Sequence, residues 1–286
     1  MNRRRSVALG GPAAMLLAVG VAAASDSFPW NRVIGFDTGA LSASEKDRVA
    51  TVAGRTPNYH GCRGTVAECI ARDPVDRVAA RLAGYIARRV KAGASDAEIA
   101  EGVADRRRSA RPARTHQFEL YDAMCLGSAG APVTLVEFAE FQCPFCKAAA
   151  PFIHRLAAAR SQQVRYCVKF FPVRSHDRAV QGCMAGLAAA RQGKFFAMHD
   201  ALFASAPDLS DEAIDRCARR AGLDMDRFRR DLAGEELRDE VEADKLEGQA
   251  AGVDRTPTFF VNGKKYFGRV DEAELGDRLD EELDLR

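Results

Sequence analysis

The sequence predicts an α/β domain with a helical insertion, preceded by a small all-α domain. From residue 131 onward, short apolar runs rich in Val and Phe alternate with helical patterns, whereas residues 73–103 carry helical periodicity alone. A chain of 286 residues, 47% of them hydrophobic, is long enough for one large domain or two modest ones. We therefore expect a two-part chain with the chemistry in its second part.

The first residues indicate export. Met1–Arg5 is short and basic, and Ser6–Ala24 is apolar and ends in small residues. This pattern predicts a secretory signal peptide over residues 1–24, which is removed in the mature protein. The alternative is an uncleaved membrane anchor through residues 6–24, because a stretch of that length can just cross a bilayer. We expect a periplasmic protein, or one anchored to the membrane and facing the periplasm.

The charge balance argues against a nucleic-acid partner. The chain has 42 basic and 40 acidic side chains, a net charge of +2, and loses three arginines with the predicted signal peptide. A nearly neutral protein offers no basic surface for a phosphate backbone. We therefore expect no nucleic acid among its partners.

Residues 25–115 are predicted to form the helical domain and a linker. Ser25–Pro57 shows no sustained periodicity and is predicted to be loosely structured. Asp73 and Pro74 suit the N-cap and first position of a helix, and a capping box beginning at Ser95 starts a second one, which together predict a helical hairpin. The basic, aperiodic run from Arg106 to Arg114 is typical of a solvated linker.

Residues 116–286 are predicted to form the α/β domain. The run "APVTLVEFAEF" predicts a buried strand, and a helix and a second strand follow it. Asn262 and Gly263 suit a two-residue type I′ turn in a later hairpin. The other predicted elements are a helix over 144–160, a strand over 164–171, a helical insertion over about 177–252 and a last helix over 271–285.

The segment "CPFC" carries the chemistry. Cys143 stands at a predicted helix start, where unpaired N–H groups and the helix dipole favour thiolate over thiol. Pro144 suits the first helical position, and Cys146 lies less than one turn further on, so that it can resolve a mixed disulfide. A two-residue gap closes almost no loop, which disfavours a structural staple. In an exported chain, disulfide chemistry is also favoured over a metal site.

The strand "VTLVEF", the CPFC helix start, the helical insertion and the later "GVDRTPTFFVNG" are together similar to the DsbA-like branch of the thioredoxin superfamily, over about residues 132–285. The resemblance implies a thioredoxin fold and a protein disulfide oxidoreductase that needs no cofactor. It also implies a cis Pro257 beside the cysteines and a Thr256 that presents its backbone to a substrate peptide. Pro144 and Phe145 are expected to contact the same peptide.

Other residues near CPFC have roles that the resemblance suggests. Glu137 matches the acidic residue beneath the redox pair, and burial in an apolar strand would raise its pKa and suit it to proton transfer. An exposed strand position for Glu137, or the same role for Glu140, are the alternatives. Phe145 replaces the histidine of the strongest oxidants, so we expect a less oxidising couple, with some compensation from Lys147. Pro151 matches the proline that kinks the active-site helix of thioredoxin.

Cys62 and Cys69 precede the helical hairpin. The region from "YHGCRGTVAEC" through "AGASDAEI" resembles the CcmH-type thiol reductases of cytochrome c maturation, which keep their two cysteines two residues apart. Six residues separate them here, so we expect a structural disulfide. A second redox pair and a metal site that includes His60 are the alternatives.

The remaining cysteines and histidines are expected to be structural. We predict pairs between Cys125 and Cys167 and between Cys183 and Cys217, with buried free thiols as the alternative for each. No second CxxC is present, and no metal site is expected. Four histidines are interpreted as surface or packed residues, with a role as metal ligand or catalytic base as the alternative: His116, His154, His176 and His199. Three phenylalanines are interpreted as core residues, with lining of a peptide groove as the alternative: Phe195, Phe196 and Phe203.

We expect an exported thiol–disulfide oxidoreductase that oxidises cysteines of other exported proteins and is recycled by a membrane or soluble redox partner. The alternatives are a reductant or isomerase in cytochrome c maturation, and a peptide-binding holdase in which CPFC is not catalytic.

Overall fold

The computed structural model describes residues 25–286, so the predicted signal peptide and the possible anchor lie outside the described residues. The helices are α1 Ala43–Arg55, α2 Val66–Ala71, α3 Arg77–Lys91, α4 Asp96–Ala110, α5 Pro144–Ala159, α6 Ala179–Ala190, α7 Phe195–Ser205, α8 Asp211–Arg220, α9 Met225–Ala233, α10 Glu236–Ala250 and α11 Glu272–Asp284. The strands are β1 Cys125–Leu126, β2 Val133–Ala139, β3 Val164–Phe170, β4 Thr258–Val261 and β5 Lys264–Lys265. From Ser25 onward, no helix has the length and apolar character needed to cross a membrane.

The N-terminal region is larger than the predicted hairpin. The expectation that residues 25–57 are loosely structured is wrong over α1, which packs with α2 and α3 around a hydrophobic core of its own. Ser42 accepts a hydrogen bond from the N–H of Glu45, whose carboxylate accepts one from the N–H of Ser42. This capping box is the local sequence signal for α1. The start of α3 also differs, because Asp76 rather than Asp73 accepts the N–H of Ala79.

The prediction of a solvated linker from Arg106 to Arg114 is wrong for its first residues, because α4 continues to Ala110. Ile99, Val103, Arg106 and Ala110 are spaced so that they share one face of this helix, and all four are buried. Arg106 donates to Asp277 at 2.9 Å and to Glu281 at 2.7 Å on α11. Arg106 therefore joins the two parts of the chain instead of entering solvent.

The C-terminal part is a thioredoxin fold built on a mixed sheet in the order β1-β3-β2-β4-β5. The central strand β2 runs parallel to β3 and antiparallel to β4, and Glu137 lies between Val168 and Phe259. Asn262 and Gly263 have φ angles of 49° and 72°, as the predicted type I′ turn requires. Helices α6 to α10 form the insertion between β3 and β4.

Helix α11 holds the two parts of the chain together through a buried ion-pair network. Arg81 donates to Asp277 and Asp284, and Arg88 reaches Asp277 at 2.8 Å. The hydroxyl of Tyr59 donates to Glu281 at 2.8 Å. Because removing one partner of such a network leaves an uncompensated buried charge, these contacts fix how the helical region sits on the sheet domain.

Candidate active site

Cys143 is the N-cap residue of α5, at the end of the loop that follows β2. Its sulfur accepts a hydrogen bond from the N–H of Cys146 at 3.4 Å. Hydrogen bonds with the Cys146 thiol, with Thr256 and with the N–H groups of Cys146 and Phe145 lower the pKa of Cys143 to about 5, although burial opposes the shift. The first turn of α5 therefore stabilises a Cys143 thiolate at neutral pH, as expected for a cysteine at a helix N-terminus.

Cys146 is in the opposite state. It is fully buried in the first turn of α5, and burial together with its hydrogen bond to Cys143 and the charge of Glu137 raises its pKa well above the ordinary value. Both sulfurs are thiols in this structure. The pair therefore combines one easily ionised sulfur with one that keeps its proton. Pro144 is the first residue of α5, and Pro151 lies inside the same helix.

Glu137 is buried in β2, with 3% of its surface exposed, so the alternative of an exposed strand position is wrong. Burial raises its pKa to about 7, the hydrogen bond from the Tyr166 hydroxyl opposes the shift, and the charge of Cys143 adds to it. A carboxyl group that titrates near neutral pH can donate or accept a proton under working conditions. Its charge contributes to the raised pKa of Cys146.

The Glu140 carboxylate interacts with His176 and Gln142. Its carboxylate lies 2.5 Å from Nδ1 of His176 and accepts the N–H of Gln142 at 2.8 Å. Burial raises the pKa of Glu140, and these two partners oppose the shift. The sequence does not predict the pairing of Glu140 with His176, because 36 positions separate the residues and no local pattern links them.

The peptide bond between Thr256 and Pro257 is cis, as the resemblance implied. The carbonyl oxygen of Thr256 lies 3.3 Å from the sulfur of Cys143. Thr256 and Pro257 line a groove of about 650 Å³, together with Phe145 and Phe152 of α5 and Val270. Phe145 is 72% exposed, so a large apolar side chain is available at the mouth of the dithiol site.

Lys147 and the phenylalanines of α7 lie outside the groove beside Pro257. The ammonium of Lys147 donates to the carbonyl oxygen of Ala206 at 2.7 Å. Phe195 and Phe203 are buried in the core and Phe196 packs against it. None of the three phenylalanines lines the groove beside Pro257.

The other cysteines are partly as predicted. Cys62 forms a disulfide with Cys69, and Cys125 of β1 forms one with Cys167 on the neighbouring strand. The predicted pairing of Cys183 with Cys217 is wrong, since both are buried free thiols. Cys217 on α8 donates to the carbonyl oxygen of Ala201 on α7 at 3.3 Å, whereas Cys183 lies on α6 within the influence of Glu140 and Asp244. The two sulfurs therefore face different neighbours.

The histidines are less isolated than the sequence suggests. His116 packs against Phe118 and Phe260, as expected of a structural residue. His154 of α5 and His199 of α7 meet beside Asp200, with their ring centroids 5.0 Å apart. The sequence offers no signal for this meeting, because the two histidines lie on different helices far apart in the chain.

An asymmetric dithiol at a helix start, above a buried carboxyl group and beside a cis-proline loop on a thioredoxin fold, defines the class of thiol–disulfide oxidoreductases. A family model described as thioredoxin matches residues 120–281, more than half of the chain, so the chain belongs to the thioredoxin family. The match begins after the N-terminal helical region.

Solved structures agree with this assignment. The chain is 28% identical to a thioredoxin-like oxidoreductase from Silicibacter pomeroyi, with a TM-score of 0.51 over 57% of this chain and 97% of that one. BdbD from Bacillus subtilis, in its oxidised form, gives a TM-score of 0.52 at 23% identity, over 61% of this chain and 100% of that one. The thiol–disulfide exchange protein α-DsbA2 from Wolbachia pipientis gives 0.51 at 22% identity, over 56% and 90%. The last two show a shared DsbA-like fold.

Two curated relatives of the chain are named as Na⁺/H⁺ antiporters. The chain is 37% identical over 195 residues, 68% of its length, to the Na⁺/H⁺ antiporter NhaA 3 of Salinispora tropica. It is 36% identical over 152 residues, 52% of its length, to the antiporter NhaA 1 of Mycobacterium sp. strain KMS. The chain spans about a quarter of the length of these relatives, 28% and 25% respectively.

Proposed function

We propose that this chain is an exported, DsbA-like oxidase of protein thiols, which works in the periplasm on cysteine-containing proteins. The observation that carries the proposal is the stabilised thiolate of Cys143, with its pKa lowered to about 5. A group that stabilises this thiolate stabilises the reduced dithiol relative to the disulfide, and so makes the disulfide a stronger oxidant. The alternatives are a reductant or isomerase, and a holdase.

The proposed reaction uses each residue of the site in one role. A substrate thiolate attacks the sulfur of Cys143 in the Cys143–Cys146 disulfide, and Cys146 leaves and takes a proton from Glu137. A second substrate thiolate then attacks the substrate sulfur of the mixed disulfide and releases Cys143 as a thiolate. Two substrate thiols become one disulfide, and the two electrons remain on the dithiol until a membrane or soluble redox partner removes them.

The groove beside the dithiol is proposed to hold the substrate chain. Thr256 would present its backbone to an extended peptide, with Pro257 beside it, since the Thr256 carbonyl already lies next to the attacked sulfur. Phe145 and Pro144 would cover the peptide from the helix side, and the 72% exposure of Phe145 leaves it free to do so.

The reduction potential tests the direction of transfer. Thioredoxin combines a nucleophile pKa of about 7 with a potential of about −270 mV, and DsbA combines a pKa of about 3.5 with a potential of about −120 mV. A nucleophile pKa of about 5 falls between them. Interpolation predicts a potential of roughly −210 to −160 mV, measured by equilibration of the purified protein with glutathione buffers.

A potential near that of thioredoxin would contradict the oxidase and favour the reductant. A second test of the same link is Phe145→His, which places an imidazole near the thiolate of Cys143. We expect this substitution to raise the potential by about 30 mV or more, because each pKa unit of thiolate stabilisation corresponds to roughly 30 mV for a two-electron couple.

A further inference from the structure

Three side chains of the types that ligate metals meet between α5 and α7. His154 stands on α5, and His199 and Asp200 stand on α7 of the helical insertion. Nδ1 of His199 lies 2.9 Å from Oδ1 of Asp200, and Nδ1 of His154 lies 3.8 Å from the same oxygen. One ligand atom from each of the three residues falls within 4.8 Å of the other two.

Hydrogen bonding does not account for the position of His154. Its Nε2 is buried without a hydrogen-bond partner among the described residues, and its Nδ1 is too far from Asp200 for a hydrogen bond. The His154 ring therefore has a nitrogen that no hydrogen bond from a described residue occupies and that can face an ion. His199 is itself 2% exposed, whereas the side chain of Asp200 is 65% exposed, so the two imidazoles converge on a carboxylate that solvent can reach.

The donor set and the space fit a transition metal ion. Two imidazole nitrogens and one carboxylate oxygen suit zinc, nickel or copper far better than calcium or magnesium. Ligand atoms around a tetrahedral zinc stand roughly 3.4 Å apart. The widest pair of ligand atoms, which lie within 4.8 Å of each other, would have to close by at most about 1.4 Å, and the His199–Asp200 pair at 2.9 Å would have to separate slightly. A cavity of about 350 Å³, lined by Lys147, Pro151, His154, Asp200 and Phe203, gives an ion access to the cluster and leaves room for water. Lys147 also lines this space, and its ammonium donates to the carbonyl oxygen of Ala206 at 2.7 Å.

We propose that His154, His199 and Asp200 bind one divalent transition metal ion, with zinc as the first candidate and water in the fourth position. The ion would join α5, which contains Cys146 and is capped by Cys143, to α7 of the insertion. The Tyr166 ring lies 6.2 Å from that of His154, and its hydroxyl donates to the Glu137 carboxyl group. His154 and Tyr166 would therefore connect the ion to Glu137. The proposal does not depend on the direction of electron transfer.

Zinc titration of the oxidised protein tests the site. The Cys143–Cys146 disulfide is kept closed so that the dithiol cannot bind the ion, the protein is stripped with EDTA, and zinc binding is followed by calorimetry. We expect one equivalent of zinc, together with a rise in Tm that EDTA reverses, because an ion that binds only the folded state stabilises it. Replacing a ligand, as in His154→Gln or Asp200→Asn, should weaken binding at least about tenfold.

His60→Gln is the matched control, because it removes an imidazole from the N-terminal region and should bind zinc as the parent does. His199 is left intact because its replacement would disturb the core directly, whatever its part in metal binding. Unfolding of each variant in EDTA checks that it is folded. Absence of zinc binding at about 100 μM, or equal affinity in the parent, His154→Gln and Asp200→Asn, would overturn the proposal.

Discussion

Replacing Cys143 with serine is expected to abolish disulfide exchange, with a loss of about three orders of magnitude or more in the rate of substrate oxidation. The reason is that Cys143 is the sulfur whose pKa is lowered to about 5, whereas Cys146 is buried and keeps its proton. A serine hydroxyl at residue 143 cannot form a disulfide. The rate is measured by loss of free thiols in a reduced substrate protein.

Cys146→Ala is expected to behave differently, because it leaves the nucleophile and removes the sulfur that releases the partner. Mixed disulfides between Cys143 and exported proteins should accumulate and appear as reducible bands on non-reducing gels. Cys217→Ala removes a buried free thiol outside the site and should trap nothing. Peptide binding and partner capture that are unchanged in Cys143→Ser would instead support the holdase alternative.

Glu137→Gln is expected to slow the step that changes the protonation of Cys146 by about 100-fold, the lower range for general acid–base catalysis. Glutamine keeps the acceptor for the Tyr166 hydroxyl and loses the titratable proton. Stopped-flow measurement separates this step from the first attack on Cys143, whose rate should change little. Glu140→Gln is the matched control, because that carboxylate is already engaged by His176 and Gln142.

The same Glu137→Gln substitution should stabilise the fold. The folded-state pKa of Glu137 is raised from 4.5 to about 7, so the folded protein binds this proton more tightly than the unfolded chain. The contribution of Glu137 to the free energy of unfolding is therefore fully present below pH 4.5 and is lost as the pH rises through 7. For a shift of that size the loss is about 3 kcal/mol. We expect Glu137→Gln to recover roughly 1 to 3 kcal/mol at about pH 8 and little at about pH 4.5 in urea unfolding. A variant that is less stable at the higher pH and exchanges disulfides normally would mean that Glu137 is structural.

The features that depend on nearby residues are the ones that the sequence predicts best. Cys143 at a helix start, the strand before it and the Asn262–Gly263 turn each follow from a few adjacent positions. Glu137 can be placed in the core because its strand neighbours are apolar. The cis bond before Pro257 follows from the family resemblance, since no local pattern specifies its position beside Cys143.

Features that depend on packing between distant elements are not predictable in the same way. Arg106 looks like part of a solvated basic run, and only α11 supplies the acidic partners that bury it. Cys183 and Cys217 both lie in the insertion, which suggests a pair, but sequence does not say which face of a helix meets which neighbour. His154 and His199 converge for the same reason, through the docking of α7 on α5.

The most direct test of the proposed oxidase is the oxidation of a reduced, unfolded two-cysteine protein by a stoichiometric amount of this chain in its oxidised form. We predict that one equivalent converts one pair of substrate thiols into a disulfide and leaves Cys143 and Cys146 as thiols. If the substrate thiols persist, while the reduced chain readily opens disulfides in an oxidised protein, the direction proposed for this site is wrong.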